Sequence, residues 1–144
     1  MRSRSWIAVG AIVFVVALAG SAIVVPQLRA LHALQSLIYV AVIALDNAWA
    51  LGAALAVAVA WNGLNLFVTH LAQAGAVAVV HGDVTRVDTM MVTLGTVGHF
   101  ILIAGCVAAI RTNDARNTWW KLAGGGLIGL AYLAAIIAVA APRT

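Results

Sequence analysis

The chain has 144 residues, of which 65% are hydrophobic and only 8% charged. A soluble domain carries roughly 25% charged residues, so a water-facing surface is excluded. The net charge of +4 lies in short loops and at the ends, with no basic stripe or aromatic platform, which excludes nucleic acid as a partner and leaves topology and headgroup contact.

A mean hydropathy of +1.08 and several uncharged runs longer than about 18 residues indicate an all-α polytopic transmembrane bundle in one integral membrane domain. Glutamate is absent and Lys121 is the only lysine, at a helix entrance, so intramembrane Schiff-base chemistry is excluded. The single Cys106 forms neither an intrachain disulfide nor a cysteine metal cluster, and it reads as a small buried hydrophobe.

In chain order, the start MRSRSWIAVGAIVFVVALAGSAIVVP has a basic end, an apolar core and Ala17-Leu18-Ala19, which has the form of a leader-cleavage site. The apolar run continues past that site to Val25. Residues 6–25 are therefore expected to form a first span, with Arg2 and Arg4 holding the N-terminus in the cytoplasm.

Ala30 to Val80 is too long for one crossing, more than roughly 70 Å at about 1.5 Å per residue. Two breaks compete, Asp46-Asn47 and Asn62-Gly63. The first leaves fewer than ten purely apolar residues before it, Leu37 to Leu45. The second is an Asn-Gly turn signal directly after Trp61. It yields spans 36–61 and 64–80 and puts Asp46 and Asn47 inside the first of these. A carboxylate there costs on the order of 3 kcal/mol unless protonated, paired or wetted.

Spans 89–110 and 118–141 follow, the last opening with interfacial Trp119 and Trp120. With five spans, Arg2, Arg4, Arg111, Arg116 and Lys121 fall inside, and Arg29, Arg86 and Arg143 outside. Four spans, with 62–80 re-entrant or interfacial, even out that asymmetry, so five are preferred. The Ala-, Val- and Arg-rich usage points to a bacterial cytoplasmic membrane.

Counting inward from the loop 81–88, His70 and His99 lie roughly 15 Å deep at about 1.5 Å per residue. Asp46 and Tyr132 fall in the same layer. The two histidines have three readings: hydrogen-bonded packing residues, axial ligands of a b-type haem, or proton-transfer partners of Asp46 and Tyr132. Asn62, Asn65, Thr69 and Gln73 share one helix face, and Thr89, Thr93 and Thr96 form a second stripe, both consistent with interhelical hydrogen bonding. His32 and His81 are expected at outer helix ends or in the outer loop, solvated; His81 and Asp83 make only a weak metal signal.

Gly124, Gly125, Gly126 and Gly129 suit close approach of another backbone, a lipid or a partner subunit, and Gly95 and Gly98 flank the His99 turn in the same way. No phosphate loop, zinc motif, nucleophile elbow or internal repeat is present, so no catalytic assignment follows. Three functions compete. The chain is a small subunit of a larger, energy-converting membrane complex, packed on partner subunits and helping to hold a quinone, haem or lipid. Alternatively it is a self-contained, homo-oligomeric proton-coupled transporter or channel using Asp46, His70 and His99. The third is a b-type haem redox protein.

Overall fold

The computed structural model describes residues 2–45, 47–112 and 119–140. The protein is an all-α bundle: α1 (Arg2–Val24), α2 (Arg29–Leu45), α3 (Ala48–Gly63), α4 (Leu71–His81), α5 (Val87–Thr112) and α6 (Trp119–Ala140). Tight turns at Pro26–Leu28 and Val84–Arg86 lead into α2 and α5, and a wide π turn, Leu64–Val68, extends α3. Five helical segments are long and apolar enough to cross a membrane: Ser3–Val24, Pro26–Leu45, Ala48–Val68, Val84–Thr112 and Trp119–Val139.

The number of crossings is the expected five, but their division differs in the middle of the chain. The expected span 36–61 does not exist as one helix, because α2 ends at Leu45 and α3 begins at Ala48. Asn47 makes the break. Its backbone is extended (φ −129°, ψ 165°) and its Oδ1 accepts the Ala50 N–H at 2.9 Å, an N-cap. Asp46 lies outside the described residues. The short apolar run before this break misled because it ignored polar side chains facing the bundle interior; counted from Pro26, the segment has 20 residues.

Asn62-Gly63 is no turn. Gly63 is helical (φ −56°, ψ −46°), and the chain runs on through the π turn into α4. Pairings along α5 give the directions. Asn62 meets His99, the Thr93 hydroxyl donates to the Ala72 carbonyl at 2.8 Å, and Gly75 abuts Thr89. Both α3 and α4 therefore run antiparallel to α5 and continue in one sense. The expected separate span 64–80 is corrected accordingly: α4 has only 11 residues, too few to cross about 30 Å of hydrocarbon. It is the second part of a broken helix.

Glycines set the closest packing. On α5, a Cβ at Gly98 would lie 2.9 Å from the Phe14 nitrogen, and one at Gly105 would lie 2.7 Å from the Ile7 nitrogen. Together with the contact of Gly20 on Met91, these pairs make α1 and α5 antiparallel along most of their length. Between α3 and α6, a Cβ at Gly125 would overlap the Trp49 carbonyl, and one at Gly129 would sit 2.7 Å from that of Ala53, so these helices run parallel. Such contacts replace the hydrophobic drive that helices lack inside lipid. The outward faces carry large apolar side chains, among them Ile12, Ile23, Val80, Leu127 and Val139, suited to acyl chains.

Candidate functional site

His99 is fully buried where α1, α2, α3 and α5 meet. Local sequence makes the room. Gly98 lets the α1 backbone approach, and a Cβ at Gly95 would stand 3.2 Å from the Phe14 ring. Phe14 consequently stacks on the imidazole, centroids 3.8 Å apart and planes 21° from parallel. Tyr39 of α2 packs on Phe14 at 4.6 Å, and the edge of Trp61 closes the group.

Both ring nitrogens are engaged. Nε2 lies 2.6 Å from the Tyr39 hydroxyl and Nδ1 lies 3.1 Å from Oδ1 of Asn62. An amide oxygen only accepts, so Nδ1 carries the ring proton. Nε2 is then the acceptor and Tyr39 the donor. This array holds a neutral imidazole with a defined direction, hydroxyl to ring to amide.

Further polar groups lead away from it. His32, Gln35 and Tyr39 follow each other on α2 at i, i+3 and i+7, one stripe facing the interior. Gln35 is fully buried, and its amide oxygen and nitrogen, like His32 Nδ1 and Asn62 Nδ2, have no protein partner. His32 borders a cavity of about 30 Å³ lined also by Phe14, Leu18, Ser21, Trp61 and Met91, among others.

Of the expected layer, His70 and Tyr132 do not join His99, which alone of these three occupies the centre; Asp46 lies outside the described residues. Asn47 caps α3 at an exposed helix end. His70 is exposed in the left-handed conformation (φ 56°) between the π turn and α4. Tyr132 donates to the Leu34 carbonyl at 2.8 Å, joining α6 to α2. His32, expected in solvent, is buried because α2 starts earlier than expected.

The polar stripe beyond Asn62 serves the helix break. Asn65 donates to the Trp61 carbonyl at 3.0 Å, Thr69 to the Leu64 carbonyl at 3.4 Å, and the Gln73 amide to the Leu66 carbonyl. Gln73 thereby spans the break from α4 to the π turn, while Asn65 and Thr69 add side-chain bonds to the Trp61 and Leu64 carbonyls, which also accept backbone N–H groups. On α5, Thr89 and Thr96 donate to the carbonyls of Arg86 and Val92, while Thr93 ties α5 to α4. Gly124 rests on the Trp49 ring and Gly126 near Ala56, so this glycine face is occupied by α3 of the same chain.

In the loop, the Thr85 hydroxyl and N–H, with Arg86 nearby, hold the Asp83 carboxyl below its ordinary range. His81 instead donates to the Val77 carbonyl at 2.9 Å. Among the described residues no group of three His, Cys, Asp or Glu side chains is placed to hold a metal.

A haem does not fit His70 and His99. The nitrogens of His99 are taken by Tyr39 and Asn62, Phe14 covers a ring face, and His70 is on the exposed break. The adjoining cavity holds one or two waters, far short of a porphyrin or a quinone ring.

Phe14, Gln35 and Tyr39 are the site residues that sequence reasoning missed. The i, i+3, i+7 recurrence of His32, Gln35 and Tyr39 carried the signal, hidden by a helix start set too late. No family model, curated protein or solved structure matches the chain, so the functional reading rests on this geometry.

Proposed function

We propose that the chain is a self-contained membrane bundle that moves protons through its interior, with His99 as the group that takes up and releases them. The observation that carries this reading is the fully buried imidazole held between a donor and an acceptor from two other helices. An ionisable side chain is costly inside a bilayer and marks a site by default. Tyr39 delivers a proton to Nε2 as another reaches its own oxygen, and Asn62 fixes the tautomer that keeps Nε2 open to receive it. The excess of Arg and Lys at the end holding Arg2, Arg4, Arg111 and Lys121, against Arg29 and Arg86 at the other, supports an N-terminus on the cytoplasmic side of a bacterial inner membrane.

The test is proton uptake into phosphatidylcholine–phosphatidylglycerol liposomes containing a pH-sensitive dye, driven by a potassium diffusion potential. Uptake above protein-free liposomes is expected, falling about tenfold or more in His99→Ala and Tyr39→Phe while Tyr132→Phe retains it. Wild-type protein no faster than empty liposomes sinks the reading.

A second reading, a subunit of a larger assembly, is favoured by the exposed helix break. Phe67 is 78% exposed, and Val68, Thr69 and His70 are also exposed. By the pairings along α5, the break lies roughly 9 Å short of the end of α1. Irregular backbone at membrane depth persists where protein or water covers it. Another membrane subunit or a second copy would supply that cover. The glycine face of α6 no longer argues for a partner, since α3 fills it. Native mass spectrometry from mild detergent decides: a complex supports an assembly, and a monomer that keeps proton uptake removes it.

A further inference from the structure

Among the described residues, the buried polar side chains outside the array all lie on one side of His99. Towards the α1–α2 connection lie Ser21 on α1, His32 and Gln35 on α2, and the cavity bounded by Met91, Val92 and Gly95 of α5. Towards the other end the buried positions are Ile7 and Ala11 on α1, Val42 on α2, Ala54, Val57 and Ala58 on α3, and Leu102 and Cys106 on α5. The helix directions make this comparison consistent. On α1, Phe14 is level with His99, and Leu18 and Ser21 follow outward; on α2, Tyr39 is level with His99, and Gln35 and His32 precede it outward.

We propose that the cavity is a water site and that it gives the Tyr39–His99–Asn62 array access to the aqueous phase at the α1–α2 end alone. Three observations combine. The cavity, about 30 Å³, admits one or two waters. Its wall includes His32, 7% exposed, with Nδ1 unpartnered, and Ser21 stands beside it. Gln35, the next member of the stripe towards Tyr39, is fully buried with both amide atoms unpartnered. Buried polar groups of this kind are ordinarily satisfied by ordered water, and each left unmatched is costly. Water bonded to His32 and Gln35 leads to the Tyr39 hydroxyl, the donor of the array. Beyond His99 the buried side chains among the described residues are aliphatic or the Cys106 thiol, and offer a water little to bond to. The path is thus a half-channel, hydrated from the α1–α2 end as far as His99 and dry beyond it. A proton held on His99 goes on to the far side only when the helices of this apolar floor part. It deepens the proton-transfer reading and rests on it for its purpose.

The protein carries its own reporters. Met91 lines the cavity, while Cys106 is fully buried in the floor; both sulfur side chains react fast with hydroxyl radicals. Brief X-ray pulses on wild-type protein in lipid nanodiscs with ¹⁸O-water generate radicals wherever water sits, and peptide mass spectrometry reads the oxygen label. Labelled Met91 with protected Cys106 is expected. Ala17→Leu, which fills the cavity from α1, is expected to suppress the Met91 label several-fold and leave Met90 unchanged.

Met91 as protected as Cys106, or Cys106 labelled as fast as Met91, overturns the half-channel. The two proposals separate in the liposome assay. A labelled Met91 without proton uptake removes the proton reading and keeps the water site. Undiminished uptake in an Ala17→Leu protein that has lost the label removes this route and keeps the proton reading.

Discussion

Tyr39 and His99 each solve the other's burial problem. A phenol and an imidazole inside an apolar bundle lose their water, and one short hydrogen bond of 2.6 Å returns a partner to both. Asn62 completes the set at Nδ1, 3.1 Å away. Removing one member leaves another stranded. Tyr39→Phe deletes the donor and leaves Nε2 without its partner, which costs about 1–3 kcal/mol. Thermal unfolding of the purified variant in detergent measures this; a transition unchanged from wild type would mean that the hydroxyl contributes nothing to the ring's placement. His70 has a different role. Held at φ 56° without a glycine's freedom, it marks the break between the π turn and α4, and its side chain is exposed rather than part of the array.

Among the elements, glycine has two distinct uses, and substitution separates them. At Gly125 a methyl group meets the Trp49 carbonyl, so Gly125→Ala pushes α6 off α3 and is expected to destabilise by about 1–3 kcal/mol. Gly63 is helical, and a methyl group there would have nothing within 4 Å, so Gly63→Ala gains about 0.5–1 kcal/mol from helix propensity. Unfolding midpoints of the two variants should move in opposite directions; a lowered midpoint for Gly63→Ala would show that the π turn needs that glycine. The break after Gly63 is stitched by Asn65, Thr69 and Gln73, whose side chains donate to carbonyls of the interrupted helix. A stripe of polar residues along a membrane helix thus has a backbone function before any other.

For the whole molecule, the decisive property is where the chain turns. Turning between Leu45 and Ala48 rather than at Asn62-Gly63 brings Asn47 to the same end as the N-terminus and sinks Asn62 to the level of His99. Single cysteines in a Cys106→Ala background test this with an impermeant maleimide on sealed vesicles. Asn47→Cys is expected to react from the side of an N-terminal tag, Gln27→Cys from the opposite side, and Gly63→Cys from neither. Reaction at 63 with protection at 47 would restore 36–61 as a crossing. Trp119, Trp120 and Lys121 lie at the Asn47 end, where Lys121 Nζ sits 5.4 Å from the Trp120 ring and Trp49 packs edge-on at 5.3 Å, an arrangement suited to an interface.

Composition and the length of apolar runs were enough to establish an all-α membrane bundle, because hydrocarbon admits few other folds and imposes a minimum length on each helix. Five crossings rather than four were preferred on the asymmetry of Arg and Lys, and the structure has five segments of spanning length, differently divided. The glycine clusters likewise announced close packing, though not that the neighbour would be α3. His99 was legible as a buried polar group from its place in a long apolar run. Its partners were not. Whether Asp46-Asn47 or Asn62-Gly63 ends a helix depends on whether His32, Gln35 and Tyr39 have an interior to face, and that interior exists only once α1, α3 and α5 have packed. Side-chain partners in a bundle are chosen by rotation and depth between helices, which local spacing leaves free and packing sets.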